Sequence, residues 1–319
     1  MALVNIVTNH NNGAGLQKDS NLLTAILQER GHDVRKIQFD DPTARRHGQG
    51  IKNRADVNFF MELVNPHIIP SAPVNVLIPN SEWWSDAAWG SYIRRFDYVW
   101  AKTVDCHRIW LNKVHQPSTV RLIGWEAPDL YNPEIPRQIR FLHCAGKSET
   151  KNTAAVMEAW RVYKIPYPIT VSAFKPNIVK LCQGIPNVTH VNRFPEEAMK
   201  QVMNQHLFHV MPSKYEGFGM AIHEALGCGG VVLTTDAAPM KEFGGVPQEL
   251  LLPVIQVIPT RAARFNIVSA AGIAEKVHQA AGMSDSQLHE LINKARAGFE
   301  ADRAFFNRAL VRELEVLGL

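Results

Sequence analysis

Residues 207–242 read LFHVMPSKYEGFGMAIHEALGCGGVVLTTDAAPMKE. The stretch opens on an apolar strand, LFHVMPS. A glycine-punctuated turn follows, Glu216-Gly217-Phe218-Gly219, then a helical run, MAIHEALG, and a β-branched strand from Val231 to Thr235. Such a turn places free backbone N–H groups at a helix N-terminus, where an anion binds. Glu216 precedes the helix and Glu224 lies inside it, eight positions on. Glycines let a ligand approach the backbone, and carboxylates accept hydrogen bonds from hydroxyls. A ligand carrying both a phosphate and several hydroxyls suits this stretch.

The rest of the chain repeats the strand–helix theme. Leu3–Thr8 reads as a buried strand, followed by a glycine loop and a helix with Leu22, Leu23, Ile26 and Leu27 on its apolar face and Gly31 as its C-cap. Further strands are expected at 34–39, 57–64, 74–79, 99–103, 120–124, 140–145, 169–173, 188–194 and 207–211. Helices are expected at 104–115, 152–162, 196–206 and, last, 302–317. Alternation of this kind implies α/β architecture with parallel sheets covered by helices. At 319 residues about two domains are expected. The proline-rich run APDLYNPEIPR, residues 127–137, reads as the linker between them.

Set in EGFGMAIHEALGCG, the pair Glu216 and Glu224 resembles the E-x7-E donor signature of retaining family 4 glycosyltransferases of the GT-B class. The resemblance is specific across roughly 140–245 and topological across 1–130. It implies two facing Rossmann-like domains with an interdomain cleft: 1–130 for the acceptor and 137–301 for the donor, with a final helix near 302–319 packing back onto the first. It also implies a hexosyl- or pentosyltransferase that uses a nucleoside-diphosphate sugar, UDP by preference, with retention. Glu216 would meet hydroxyls of the donor sugar and Glu224 the ribose. The backbone of Gly217, Phe218, Gly219 and Met220 would line the sugar and diphosphate. Lys147 and Lys151 resemble the cation pair that holds the diphosphate, one residue closer together than usual. Arg193 and Phe194 would touch the base, and Gly13 and Gly15 would face the donor phosphates.

Several residues keep two readings. The loop at Gly13 and Gly15 serves a ligand, or is a plain βα turn; with Lys18 in the third small-residue position it is a poor dinucleotide fingerprint. GKS at 146–148 is no P-loop, because Phe141 stands where that motif needs glycine. Glu82, in NSEWWSDAAW after the strand at 74–79, is a candidate general base, or a cap for the helix near Ser85; Glu62 and Asn80 also sit at strand ends. Six of the seven tryptophans fall between 83 and 125, interleaved with basic residues, and residues 42–55 hold Arg45, Arg46, Lys52 and Arg54 without an acid. Those features are core and solvated loop in one reading. In the other they bind a glycan or a hydroxylated base in DNA.

Net charge is +4 and the isoelectric point about 8.8, which permits an anionic partner without demanding one. Four scattered cysteines, the lack of a leader-like segment and the lack of a long apolar run suit a reducing cytoplasm without a membrane span. No D-x-D triplet occurs, so no metal and no cofactor beyond the donor is expected. The alternatives are a non-catalytic nucleotide-sugar-binding protein and, on Gly13 and Gly15 alone, an NAD-dependent oxidoreductase.

Overall fold

The computed structural model describes residues 1–11, 15–41 and 54–319. Gly13, Arg45, Arg46 and Lys52 lie outside the described residues. Contacts divide the chain into two compact units: 1–124 with 261–263 and 305–319, and 125–260 with 264–304.

In the first unit the strands are β1 (Leu3–Thr8), β2 (Asp33–Gln38), β3 (Val57–Met61), β4 (Val74–Ile78), β5 (Tyr98–Ala101) and β6 (Val120–Leu122). They form one parallel sheet in the order β2-β1-β3-β4-β5-β6. Helix α1 (Gly15–Glu29) turns Leu16, Leu23 and Leu27 inward, and Gly31 ends it at φ 83°, a left-handed cap that favours glycine. The short helix α2 (Asp86–Trp89) is capped by the Ser85 side chain, and α3 (Val104–Leu111) by Thr103.

A buried polar ladder crosses this sheet. Asn5, Asn58 and Asn75 stand in register on β1, β3 and β4. Asn5 donates to Asn58 at 2.8 Å and Asn58 to Asn75 at 2.9 Å. A one-residue slip would turn every side chain to the other face, and the ladder adds a polar mismatch to that cost.

The tryptophan concentration is largely core, which corrects the stacking reading for most of its members. Trp84, Trp100, Trp110 and Trp125 are buried, Trp89 is half-buried, and only Trp83 is exposed. Trp84 meets Trp110 edge-on with centroids 4.7 Å apart.

In the second unit β7 (Gln138–Gly146), β8 (Ile169–Ala173), β9 (Val188–Val191), β10 (His206–Met211) and β11 (Val231–Thr234) make a parallel sheet in the order β11-β10-β7-β8-β9. Around it lie α4 (Thr153–Val162), α5 (Pro176–Cys182), α6 (Glu196–Gln205), α7 (Met220–Gly227) and α8 (Ala270–Ala281). Phe141 stacks on Phe208 at 4.8 Å in the core, with Trp160 edge-on to Phe141 at 5.7 Å.

Two elements differ from the expectation. Residues near 254 form a hairpin, β12 (Val254–Thr260) and β13 (Ala263–Val268). The last helix, α9 (Asp285–Val316), begins 17 residues earlier than expected and is a single rod of 32 residues. Gly298 sits in its middle because the backbone of Gly244 and Gly245 crosses there. A Cβ on Gly298 would stand 2.2 Å from the Gly245 nitrogen. Among the described residues no helix is long and apolar enough to cross a membrane.

Residues 127–137, expected as a linker, and Glu126 before them are fastened along the second unit. The Ala127 N–H donates to His223 Nδ1 at 3.0 Å. Arg296 grips the Asp129 carboxylate with two nitrogens, each at 2.7 Å, and Arg303 holds Glu126 at 2.9 Å. Asn204 accepts from the Asn132 N–H and donates to the Leu130 carbonyl.

Candidate active site

After β10 the chain leaves the sheet and crosses to α7 through residues 212–219. Its backbone is held at Lys214, whose N–H donates to the Thr150 carbonyl at 2.8 Å. The Lys214 carbonyl accepts from the Asn266 N–H at 2.9 Å and from the Asn266 side chain at 3.2 Å. The loop is thus tied to the 3₁₀ turn Glu149–Lys151 on one side and to β13 on the other.

That tie brings two distant residues together. Lys151 Nζ stands 2.5 Å from Glu216 Oε1, across 65 positions of sequence, and both side chains are more than four-fifths covered. Lys151 is delivered by a turn that ends in Asn152 at φ 57°, the left-handed residue that opens α4. The Nδ2 of Asn152 is enclosed without a hydrogen-bond partner.

Gly219 opens α7 at φ 108°, and a Cβ there would press on the Phe243 ring at 3.0 Å. Only glycine suits both conditions. The first helical bond runs from the His223 N–H to the Gly219 carbonyl, so the N–H groups just past Gly219 have no acceptor within the helix. Glu224 lies one turn further on and is buried. Phe218 turns its ring inward, edge-on to Phe243 and to His223, which leaves its backbone to any ligand. The donor residues expected from sequence, Lys151, Glu216, Gly217, Phe218, Gly219, Met220 and Glu224, therefore share one neighbourhood.

His223 carries no role in the sequence reading, because an inward-facing histidine in a helix gives no signal. It is buried among Phe218, Phe243 and Phe299, and its Nε2 lies 3.8 Å from Asp302 Oδ2. Burial holds its pKa down to about 3, with the charge of Arg303 adding to the effect. Burial pushes the Asp302 carboxyl up to about 6, against a hydrogen bond from the Gly244 backbone. At neutral pH the imidazole is neutral, with Nδ1 accepting from Ala127.

The other expected residues belong to other segments of the chain. Lys147 is exposed. Arg193 is exposed and Phe194 half-buried, in the segment between β9 and α6. Gly15 is the first residue of α1 in the first unit. Glu82 is half-buried with Oε2 enclosed, and Ser85, not Glu82, caps α2. Arg54 is exposed. Among the described residues no group of three or more His, Cys, Asp or Glu side chains is arranged to hold a metal ion.

Residues 177–244 match the family model of the glycosyl transferases group 1. They include the Lys214–Glu224 stretch built above. No curated protein matches the chain in sequence. Solved structures share the fold over nearly its whole length. A glycosyltransferase from Rickettsia africae is 13% identical, with a TM-score of 0.74 and coverage of 99% of this chain and 97% of that one. Sucrose-phosphate synthase from Thermosynechococcus elongatus is 14% identical, with a TM-score of 0.72 and coverage of 99% and 100%. Anabaena HepE, solved with UDP and glucose, is 13% identical, with a TM-score of 0.70 and coverage of 99% and 100%. The segment 177–244 is thus similar to the glycosyl transferases of group 1, and the chain shares the two-sheet GT-B fold of these solved glycosyltransferases.

Proposed function

We propose that the chain moves a sugar from a nucleoside-diphosphate sugar to an acceptor hydroxyl, with retention of configuration and without a metal ion. The observation that carries this is the Lys151–Glu216 pair set beside the N-terminus of α7. A departing diphosphate needs positive charge. Lys151, with Lys147 behind it and the N–H groups at Gly219 and Met220, supplies a cation and a helix N-terminus together. Glu216 accepts from hydroxyls of the donor sugar, and Glu224 from the ribose. Arg193 and Phe194 form the base end. The bond from the anomeric carbon to the diphosphate oxygen breaks, and a bond to the acceptor oxygen forms on the same face. Glu82 is the first-unit carboxylate proposed to take the acceptor's proton, with Gly13 and Gly15 toward the phosphates.

UDP is the favoured carrier, supported by the UDP-bound Anabaena relative. The acceptor is a hydroxylated compound. A base in DNA draws less support now, since most of the clustered tryptophans are core. A cytoplasmic setting belongs to the proposal and is supported by four unpaired cysteines.

A thermal-shift screen with UDP, GDP, ADP, CMP and NADH, with magnesium or with EDTA, tests it. Stabilisation by one nucleoside diphosphate, equal in both buffers, is expected. No response to any diphosphate refutes the donor site, and a response only with magnesium refutes the metal-free route.

A further inference from the structure

In the first unit, polar side chains gather beyond the C-terminal ends of β3, β4 and β5, where open parallel sheets bind ligands. Glu62 follows β3 directly and is held at φ 66°, a left-handed conformation costly for a glutamate. Its Oε2 accepts from Asn80 Nδ2 at 2.6 Å. Asn80 Oδ1 accepts from Lys102 Nζ at 3.3 Å, which fixes the way the amide faces, and Lys102 donates to Asp19 at 2.6 Å. Among the described residues no donor is placed on Glu62 Oε1, and Glu62 is half-buried.

Trp83 stands on the turn that starts at Asn80, closed by its own N–H on the Asn80 carbonyl at 3.0 Å. It is 45% exposed, unlike its buried neighbours. Arg261 lies against it, with the guanidinium 5.0 Å from the ring centroid and Nη1 donating to the Trp83 carbonyl at 2.8 Å. Arg261 is itself left-handed, at φ 43°, in the two-residue turn between β12 and β13 where glycine would be unstrained. Its charge also acts on Glu62. One strained residue, Arg261, thus lies on the exposed indole and its charge reaches a second, Glu62; strain kept in this way marks sites of function.

Resting on the transfer proposed above, we infer that Glu62, Trp83 and Arg261 form the acceptor subsite and that it takes a neutral, polyhydroxylated sugar ring. An exposed indole backed by a cation gives a flat apolar platform for the C–H face of such a ring. Glu62 Oε1 and the guanidinium give an acceptor and donors for its hydroxyls. Lys102 pairs with Asp19, the charge of Arg261 acts on Glu62, and Glu82 adjoins Trp83 in the chain. The group therefore offers no net positive charge to a phosphodiester, and a nucleic acid suits it poorly. Burial raises the Glu62 carboxyl above the usual carboxylate range, against the hydrogen bond from Asn80 and the charge of Lys102.

Saturation-transfer NMR on the full chain, with UDP present and methyl α- and β-glycosides of glucose, galactose and mannose as probes, tests the inference. At least one glycoside should give a signal. Trp83→Ala should abolish it, and Arg261→Gly and Glu62→Gln should each weaken binding tenfold or more. UDP affinity by calorimetry should stay within twofold in all three variants. Arg261→Gly keeps a residue suited to the turn, so it removes the guanidinium without the fold. A signal that survives Trp83→Ala and Arg261→Gly overturns the placement. No signal from any glycoside, or steeply salt-dependent displacement by duplex DNA, overturns the neutral-ring class while the donor proposal stands. If UDP does not bind the wild type, the transfer proposal fails; the glycosides are then titrated alone, and the same variants decide the subsite.

Discussion

Replacing Glu216 by glutamine should tighten the binding of free UDP while slowing sugar transfer. In the unliganded protein Lys151 is already engaged, 2.5 Å from Glu216. A diphosphate must share or take that cation, so its affinity carries the cost of loosening the pair. Exposed pairs contribute about 0.2–1 kcal/mol. Hydrogen bonds to charged groups reach about 1.5–3 kcal/mol. With 17% and 12% of the two side chains exposed, the pair belongs between these ranges. About 1.4 kcal/mol, or tenfold in the dissociation constant, is a fair central value. Isothermal titration of UDP into Glu216→Gln should show a gain approaching that factor. Turnover with the UDP-sugar should fall, because the carboxylate proposed to orient the sugar is gone. Lys151→Met should do the opposite to UDP, and in the double variant the gain from Glu216→Gln should vanish. Weaker UDP binding in a folded Glu216→Gln protein would refute the idea that donor binding competes with this ion pair.

Other outcomes follow from neighbouring residues. Glu224→Ala should weaken UDP binding by about 1–3 kcal/mol, the scale for a lost charged hydrogen-bond acceptor, and unchanged calorimetric affinity would remove Glu224 from the ribose. Gly219→Ala faces both φ 108° and the Phe243 ring at 3.0 Å; it should cost about 1–3 kcal/mol of stability, read as a lower Tm. Asp302 titrates at about 6 in the folded chain, above its ordinary 3.8, so its charged form is the destabilised one. Its penalty is full above pH 6 and fades as pH falls toward 4. Since 32% of the side chain stays exposed, the two-unit shift is discounted to roughly 1 kcal/mol. Asp302→Asn should therefore raise Tm at pH 8 by a few degrees, with the gain shrinking to nothing near pH 4. His223 acts in the reverse sense, losing stability as pH falls from 6.5 toward 3. A gain that grows on acidification would contradict the burial of Asp302.

The central strands and the loop before α7 were legible in sequence because each obeys a local rule. β1, β4 and β8 are apolar runs bounded by turn residues, and glycine at 217 and 219 announces a close turn. Three features obey only tertiary rules. Gly298 looks like a helix break, yet it is needed because Gly244 and Gly245 cross α9, so the sequence hid a single long rod. The β12–β13 turn lacks Asn or Gly and carries Arg261 instead, which erases the usual hairpin signal. The tryptophans were ambiguous singly, since an indole suits a core and a platform alike, and only burial separates Trp83 from Trp84. Lys151 and Glu216 could be named by resemblance, but their direct contact depends on the backbone tie at Lys214, which no spacing reveals.

The segment 125–137 bears on how the donor-binding half could be produced alone. Its prolines suggest a convenient place to cut, and a fragment starting at Arg137 would look natural from sequence. Such a fragment would discard the Ala127 N–H, Glu126 and Asp129. His223 would then lose the donor to its Nδ1, Arg303 would lose Glu126, and Arg296 would lose its two-nitrogen grip on Asp129 and keep Glu300. His223 lies in the same helix as Glu224, so the damage would reach the proposed nucleotide end of the site directly. The compact unit begins at Trp125, and the run that reads as a tether is part of the wall it was supposed to hang from.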